Sequence, residues 1–320
     1  MSDVSIVGAG AWGIALAIQA ARAGANVLLW ARDPLRAGDL AAQRETTRLP
    51  GVRLVQQVTV TDDLSRVRGV VLLAVPMQHQ RAILTRLPPG TAPLVICAKG
   101  FETGTHLLPL EVVQSLHPGA EAAVLTGPNF AHEVAAGLPA AAVVSATQAA
   151  LREQVIGALS TPTFRLYGND DPIGAQVGGA AKNVIAIAAG AVIGAGLGEN
   201  ARAALITRGL AELARLAVAL GGRRETVMGL SGLGDLLLTC TGPASRNYSL
   251  GAALGRGELL ADVLAARSAV TEGVATAPAL VARAVGVDLP ICTAVAALLE
   301  GRTTLRQAIT DLLARPLRDE

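Results

Sequence analysis

The sequence predicts an α/β domain with a doubly wound sheet, followed by an all-α domain. Three observations carry this. Up to Tyr167, apolar runs of strand length alternate with helical segments. A turn-rich break, Gly168-Asn169-Asp170-Asp171-Pro172, then interrupts the chain. Beyond it no convincing strand appears, and apolar residues recur at helical spacing. The expected division is 1–171 for the α/β domain and 172–320 for the helical one.

Val4–Val7 is an apolar run that ends in glycine, and Ala11–Arg22 reads as a helix stopped by Gly24. Asn26–Trp30 is a second strand. Val70–Val75 and Leu94–Ala98 are continuous apolar runs bounded by Pro76, Pro93 and Gly100. Further strands are expected at Ala122–Leu125, Ala140–Ser145 and Thr163–Tyr167. Strands apolar throughout suit a parallel sheet covered on both faces. In the second half, Leu205, Ile206, Leu210, Leu213, Leu216 and Leu220 define one face of a helix over Asn200–Leu220, with Arg208, Glu212 and Arg215 on the other. Helices are expected near 247–255, 258–266, 275–285, 291–300 and 303–314.

Composition narrows the function. With 51 % apolar and 16 % charged residues the chain buries a large core and is not disordered. A net charge of +2 argues against a nucleic-acid partner bound through bulk charge. Three cysteines, Cys97, Cys240 and Cys292, without C-x-x-C spacing fit a reducing, cytoplasmic setting. The four histidines show no metal-ligand spacing, so no metal is expected. Asp3 follows the start and a strand begins at once, which argues against a signal peptide. From Ile173 to Gly198 the only polar side chains are Gln176, Lys182 and Asn183. The uninterrupted run Val184–Gly198 is 15 residues, short of the roughly 20 that span a bilayer. Gly190 and Gly194 form a G-x-x-x-G, a membrane packing motif, but a buried helix at the centre of a helical domain fits better. No membrane partner is expected. The apolar composition is the ground for expecting a homodimer.

Gly8-Ala9-Gly10-Ala11-Trp12-Gly13 is G-x-G-x-x-G between a predicted strand and a predicted helix. There Gly8 permits the tight turn, Gly10 admits a pyrophosphate to the backbone, and Gly13 lets helix pack on strand. The helix N-terminus then favours the anion. The bland alternative is a glycine turn without a ligand. An acidic residue about 20 positions on favours NAD, but Arg32 stands 19 beyond Gly13, with Asp33 beside it. Arg32 can pair with a 2′-phosphate, so NADP is expected, and Asp33 leaves NAD open.

Of 27 basic residues 25 are arginine, which leaves two lysines, Lys99 and Lys182. A site that keeps lysine can use a compact ammonium able to lose its proton. Lys99 follows a buried strand at its carboxyl end, where open α/β sheets bind ligands. Lys182 interrupts an otherwise apolar helix, where an unpaired charge is costly. It needs a cavity, a partner or an altered pKa. Leu230-Ser231-Gly232-Leu233-Gly234-Asp235 is a glycine loop that delivers a carboxylate into the run Leu236-Leu237-Leu238, which suggests Asp235 near Lys182. Thr239 follows, then Ser245, Arg246 and Asn247 at a helix start. That trio can clamp phosphate, and an ordinary N-cap with a surface arginine would read the same way.

Jointly these segments resemble one family. G-A-G-A-W-G-I-A at 8–15, A-K-G at 98–100, G-P-N-F-A-x-E at 127–133, G-A-A-K-N-V at 179–184, G-L-G-D-L-L-L-T-C at 232–240, S-R-N at 245–247 and V-T-E-G at 270–273 are similar to bacterial-type NAD(P)-dependent glycerol-3-phosphate dehydrogenase. The resemblance runs in order over nearly the whole chain. It implies a Rossmann-like first domain and Lys182 as the catalytic acid/base, with Lys99 and Asp235 beside it in the catalytic set. Gly8, Gly10, Ala11, Trp12, Gly13, Arg32, Lys99, Ala131, Arg246, Val270 and Glu272 match cofactor positions for NADP or NAD. Lys99, Gly127, Asn129, Lys182, Asn183, Asp235, Thr239, Ser245, Arg246 and Asn247 match substrate positions. Asn129 departs from the pattern, because bacterial members often carry Ser or Thr there. The implied reaction is reversible reduction of dihydroxyacetone phosphate to sn-glycerol 3-phosphate, feeding glycerophospholipid synthesis. Three other classes stay open at this point: a hydroxyacid dehydrogenase or ketoacid reductase, a non-enzymatic NADP-sensing protein, and a small membrane-associated helical protein.

Overall fold

The structure is a computed structural model that describes residues 2–88, 90, 93–267 and 270–316. One sheet contains β1 (Asp3–Val7), β2 (Asn26–Trp30), β3 (Val58–Thr61), β4 (Val70–Leu73), β5 (Leu94–Ile96), β6 (Ala122–Thr126), β7 (Ala140–Ser145) and β8 (Phe164–Asn169). Its order is β3-β2-β1-β4-β5-β6-β7-β8. The first six strands are parallel, with Val4 paired to Val27 on one side of β1 and to Val70 on the other. The order reverses between β1 and β4, the switch point at which ligands bind beyond the carboxyl ends of strands.

The sheet differs from the sequence expectation at β3 and in the direction of β7. β3, the Val-Thr-Val-Thr segment, is an edge strand paired only to β2. Being half-buried it alternates polarity, so a search for continuous apolar runs passes over it. The second difference is that β7 runs antiparallel to β6. The connection between them holds one helix, Ala131–Ala136, of six residues. Six helical residues cover about 9 Å, too little to carry the chain back along a five-residue strand of about 17 Å. Arg22 further ties that helix down by donating to Val134 O (2.8 Å) and Ala135 O.

The helices flanking the sheet are α1 (Ala11–Arg22), α2 (Pro34–Gln43), α3 (Met77–Leu84), α4 (Pro109–Leu116), α5 (Ala131–Ala136) and α6 (Ala149–Leu159). Strands β1, β2 and β4 are buried almost throughout, as a sheet covered on both faces requires. Then come α7 (Pro172–Gly194), α8 (Gly198–Ala219), α9 (Arg224–Val227), a π turn at Leu230–Gly234, α10 (Asp235–Cys240), α11 (Arg246–Gly255), α12 (Leu260–Ala265), α13 (Glu272–Arg283), α14 (Pro290–Leu299) and α15 (Leu305–Leu313). The chain forms two compact units, Met1–Lys99 with Leu108–Gln176, and Gly100–Leu107 with Val177–Glu320. The eight-stranded Rossmann-type sheet lies in the first, and the second is helical.

Helix α7 starts where Asp171 accepts from Gly174 N–H (2.9 Å), one residue ahead of Pro172. It is long and apolar enough to cross a bilayer by length and composition, but 83 % of its most apolar window is buried inside the protein. Its G-x-x-x-G has a local partner. A Cβ on Gly190 would lie 2.0 Å from Tyr248 O, and one on Gly194 would lie 2.1 Å from Ala252 O. Reciprocally, a Cβ on Gly251 of α11 would lie 1.9 Å from Ile187 O. Backbone therefore meets backbone between α7 and α11, and any larger residue would drive the helices apart.

Glu212 of α8 caps a different helix. It is 1 % exposed and accepts from Ile291 N–H (2.7 Å) and Cys292 N–H (3.0 Å) at the start of α14. Burial pushes its carboxyl above the ordinary value of 4.5, against the pull of those two N–H groups, the Cys292 thiol and Arg215. A carboxyl raised on folding contributes stability that is full below its unfolded pKa and fades as pH rises through the folded one. Glu212→Ala strands two buried donors and should cost about 2–4 kcal/mol near pH 5. The loss should be smaller near pH 8. Urea unfolding at the two pH values checks this, and a pH-independent loss contradicts it.

Candidate active site

In the first unit the glycine turn leads from β1 into α1. Gly8 has φ +118°, open to glycine, and donates its N–H to Trp30 O (3.1 Å). A Cβ on Gly13 would lie 1.8 Å from Gly8 O, so helix and turn touch through backbone. A Cβ on Gly10 would meet nothing within 4 Å. No side chain caps α1 and its first turn holds no acidic residue. The N–H groups of Ala11, Trp12 and Gly13 precede the first helical bond, Ile14 N–H to Gly10 O (3.0 Å). Open space over uncapped N–H groups fits a dinucleotide pyrophosphate. At the end of β2, Asp33 accepts from Leu35 N–H (3.0 Å) and Arg36 N–H (3.3 Å) and caps α2. Its carboxylate is thereby occupied locally. Arg32 is exposed and has no hydrogen-bond or ion-pair partner among the described residues.

A second cluster of the first unit follows β5 and β6. The Lys99 ammonium donates to Gly127 O (3.1 Å). Gly127 has φ +146°, and a Cβ there would lie 2.9 Å from Ala142 Cα. Beside it Asn129 Oδ1 and Thr126 Oγ1 are buried without a hydrogen-bond partner among the described residues. A ligand N–H or O–H would satisfy Asn129 Oδ1. Ala131 opens α5.

The helical unit holds the other cluster. Lys182 of α7 is 7 % exposed and Asp235 of α10 is 1 % exposed. The ammonium donates to Asp235 Oδ1 and to Thr239 Oγ1 (2.8 Å). Thr239 in turn donates to Asp235 O (2.6 Å). Lys182, Asp235 and Thr239 therefore form one buried network. Removing one partner of a buried ion pair typically costs about 3–5 kcal/mol, because the other charge is stranded. Next to Lys182, Asn183 Oδ1 accepts from Asn247 Nδ2 (2.8 Å), and Asn247 Oδ1 accepts from Gly273 N–H (3.0 Å). This orients the Asn183 amide with its N–H₂ group turned from Asn247. Burial pushes the neighbouring Cys240 thiol up to about 12, against the pull of Lys182. That thiol stays protonated and inert as a nucleophile.

At the start of α11, Ser245 caps the helix by accepting from Tyr248 N–H (3.2 Å). Arg246 is exposed and donates to Val270 O (2.7 Å). Glu272 begins α13. Arg267, which no sequence motif marks, donates to Arg246 O (2.7 Å) and Ser249 Oγ (3.1 Å). Burial, then repulsion from Arg246, holds its pKa down. Two guanidinium groups that repel each other favour an anion nearby. The predicted site residues thus fall into one set in the sheet unit and one in the helical unit. Among the described residues no group of three His, Cys, Asp or Glu could hold a metal ion.

A nucleotide-type glycine turn at the sheet's switch point, in a chain with a buried lysine–carboxylate network, defines the class of nicotinamide-nucleotide-dependent oxidoreductases. Comparison with known proteins narrows it. The model of the NAD-dependent glycerol-3-phosphate dehydrogenase N-terminus matches residues 3–152, and that of its C-terminus matches 171–310. The chain is 56 % identical to glycerol-3-phosphate dehydrogenase [NAD(P)+] of Acidiphilium cryptum, over 99 % of this chain and 98 % of that one. It is 51 % identical to the Gluconobacter oxydans enzyme of the same name, over 98 % and 97 % of the two chains. A solved structure of glycerol-3-phosphate dehydrogenase from Coxiella burnetii superimposes with TM-score 0.93 at 36 % identity, covering 98 % of this chain and 99 % of that one. The chain belongs to the NAD-dependent glycerol-3-phosphate dehydrogenase family.

Two glycine substitutions separate cofactor binding from folding. Gly10→Val fills open space and should leave the melting temperature unchanged while weakening NADPH binding at least about tenfold, because the side chain would stand in the way of a pyrophosphate approaching the uncapped N–H groups of α1. Gly13→Ala should lower the melting temperature. Calorimetric titration with NADPH and thermal unfolding check both.

Proposed function

We propose that this protein reduces dihydroxyacetone phosphate to sn-glycerol 3-phosphate with NADPH or NADH, reversibly, with Lys182 as general acid. The observation that carries the role of Lys182 is the buried network it forms with Asp235 and Thr239. When bound at the glycine turn, the reduced nicotinamide supplies the hydride. As hydride reaches the ketone carbon, negative charge develops on the oxygen. An ammonium held by Asp235 and Thr239 stabilises that charge and then yields its proton. A guanidinium, with pKa above about 12, cannot exchange its proton usefully. In the oxidative direction the same lysine, deprotonated, takes the alcohol proton, so alkaline pH favours oxidation.

Arg246, with Ser245 and Asn247 at the α11 start, takes the substrate phosphate. Asn183, oriented by Asn247, donates to substrate oxygen. In the sheet unit, Lys99 and Asn129 contact the bound ligands, Asn129 through its buried Oδ1. Arg32 accommodates the 2′-phosphate of NADP, a role supported by the capping of α2 by Asp33, which removes the carboxylate that would prefer NAD. Ala131, Val270 and Glu272 complete the cofactor contacts. We place the enzyme in the cytoplasm as a homodimer, supplying glycerol phosphate to glycerophospholipid synthesis. Three buried free cysteines support a reducing compartment.

Initial rates with dihydroxyacetone phosphate and each nicotinamide nucleotide in turn test the activity. Lys182→Arg should cost about 10²–10⁴-fold in kcat with cofactor affinity kept. Near-normal turnover in that variant rules out the role given to Lys182.

A further inference from the structure

One helical turn before Lys182, the backbone of α7 comes unusually close to the segment that leads into Asp235. Gly178 lies four residues before Lys182 on α7, and Ser231 lies four residues before Asp235. A Cβ on Gly178 would lie 2.7 Å from Ser231 O and 3.0 Å from Gly232 Cα. Gly178 and Lys182, four apart in regular α-helix, share a face of α7, so the approach set at Gly178 lies on the lysine's own face.

The segment opposite Gly178 is not an ordinary helix. Leu230–Gly234 is a π turn, with Gly234 N–H donating to Gly229 O (3.1 Å), five residues back. A π turn inserts one residue into the helical path and re-aims everything after it by about 100°. Without it Asp235 would point elsewhere on α10. Glycine is required inside the turn as well, since a Cβ on Gly232 would lie 1.9 Å from Val227 O. Ser231, 1 % exposed, steadies the turn by donating to Thr226 O (3.3 Å).

We propose that Gly178 and the π turn are the positioning device of the acid/base lysine: backbone contact at Gly178 sets the distance, and the π turn sets the direction, at which Asp235 holds Lys182. Gly178 and Ser231 are positioning residues that touch no reactant. The inference rests on the proposed role of Lys182. The charged groups that act on Cys240, beside the pair, are Lys182, Asp235 and Arg202 of α8, and neither Gly178 nor Ser231 adds a titratable group.

The test compares Gly178→Ala and Ser231→Ala with Glu212→Ala, whose damage lies at the start of α14. For each, kcat, KM for dihydroxyacetone phosphate, NADPH affinity and the pH profile of kcat are measured together with the melting temperature. Gly178→Ala should lower kcat at least about tenfold and displace its pH profile, because the acid is no longer held in reaction geometry, while NADPH affinity stays within twofold. Ser231→Ala, which introduces no clash, should show a smaller loss with the same displacement, and it carries the test if Gly178→Ala does not fold. Glu212→Ala should lose stability with an unchanged kcat profile. Wild-type kcat and pH profile in a folded Gly178→Ala or Ser231→Ala protein overturns the inference. So does an equal kcat loss in Glu212→Ala, which would mark a general stability effect. Lys182→Arg separates the two readings. If it keeps turnover, the role of Lys182 fails; if it loses turnover while the positioning variants behave as wild type, this inference alone fails.

Discussion

A positive charge in a long, buried and otherwise apolar helix is the constraint on which the helical unit turns. Lys182 and Asp235 side chains are 8 % and 1 % exposed. Two charges removed from water repay their desolvation only with close geometry and further hydrogen bonds. Thr239 supplies those bonds, accepting from the ammonium and donating to the Asp235 carbonyl. Such a network is a weak stability device, since packed apolar residues often do as well. In the proposed mechanism its use lies in an ammonium fixed in a low-dielectric setting, where its field on a developing oxyanion is strongest.

Holding that network demands backbone proximity, and this explains the composition of the helical unit. Helix α7 is buried on every side from Gly174 to Val192. Its glycines meet two different backbones: Gly178 the π turn, and Gly190 and Gly194 helix α11. Helix α11 carries Asn247, which orients Asn183 and reaches Gly273 on α13. A Cβ on Gly273 would lie 2.7 Å from Asn247 Oδ1. Small residues thus bring α7, α11 and α13 together at the level of Asn183, next to the lysine. The same G-x-x-x-G that reads as a membrane motif here packs a buried core helix against its neighbour.

Much of this is legible in the residues. Strands buried on both faces announce themselves as apolar runs, and the glycine fingerprint is meaningful through its place between strand and helix. The scarcity of lysine singles out Lys99 and Lys182 on composition alone. Other features are hidden for physical reasons. Apolar runs carry no direction, so the antiparallel pairing of β6 with β7 cannot be read from them. β8 continues through Gly168 and Asn169, which read as a break, because Ser145 pairs with Asn169 in the ladder. The glycine loop before Asp235 is a π turn, since Gly-Leu-Gly spacing does not distinguish the two. Asp33 looks like a ribose ligand in sequence, and only its bonds to Leu35 and Arg36 reveal a helix cap. Arg267 offers no motif at all, and it enters through contact with Arg246 across 21 residues.

With two lysines in the chain, the central pair can be observed without turnover. Lysine-selective isotope labelling gives two side-chain ammonium signals, which a Lys99→Arg variant assigns. The Lys182 signal should exchange slowly with solvent and shift in Asp235→Asn, while the Lys99 signal stays in place. Two fast-exchanging signals, neither of them responding to Asp235→Asn, would contradict the buried pair on which the site depends.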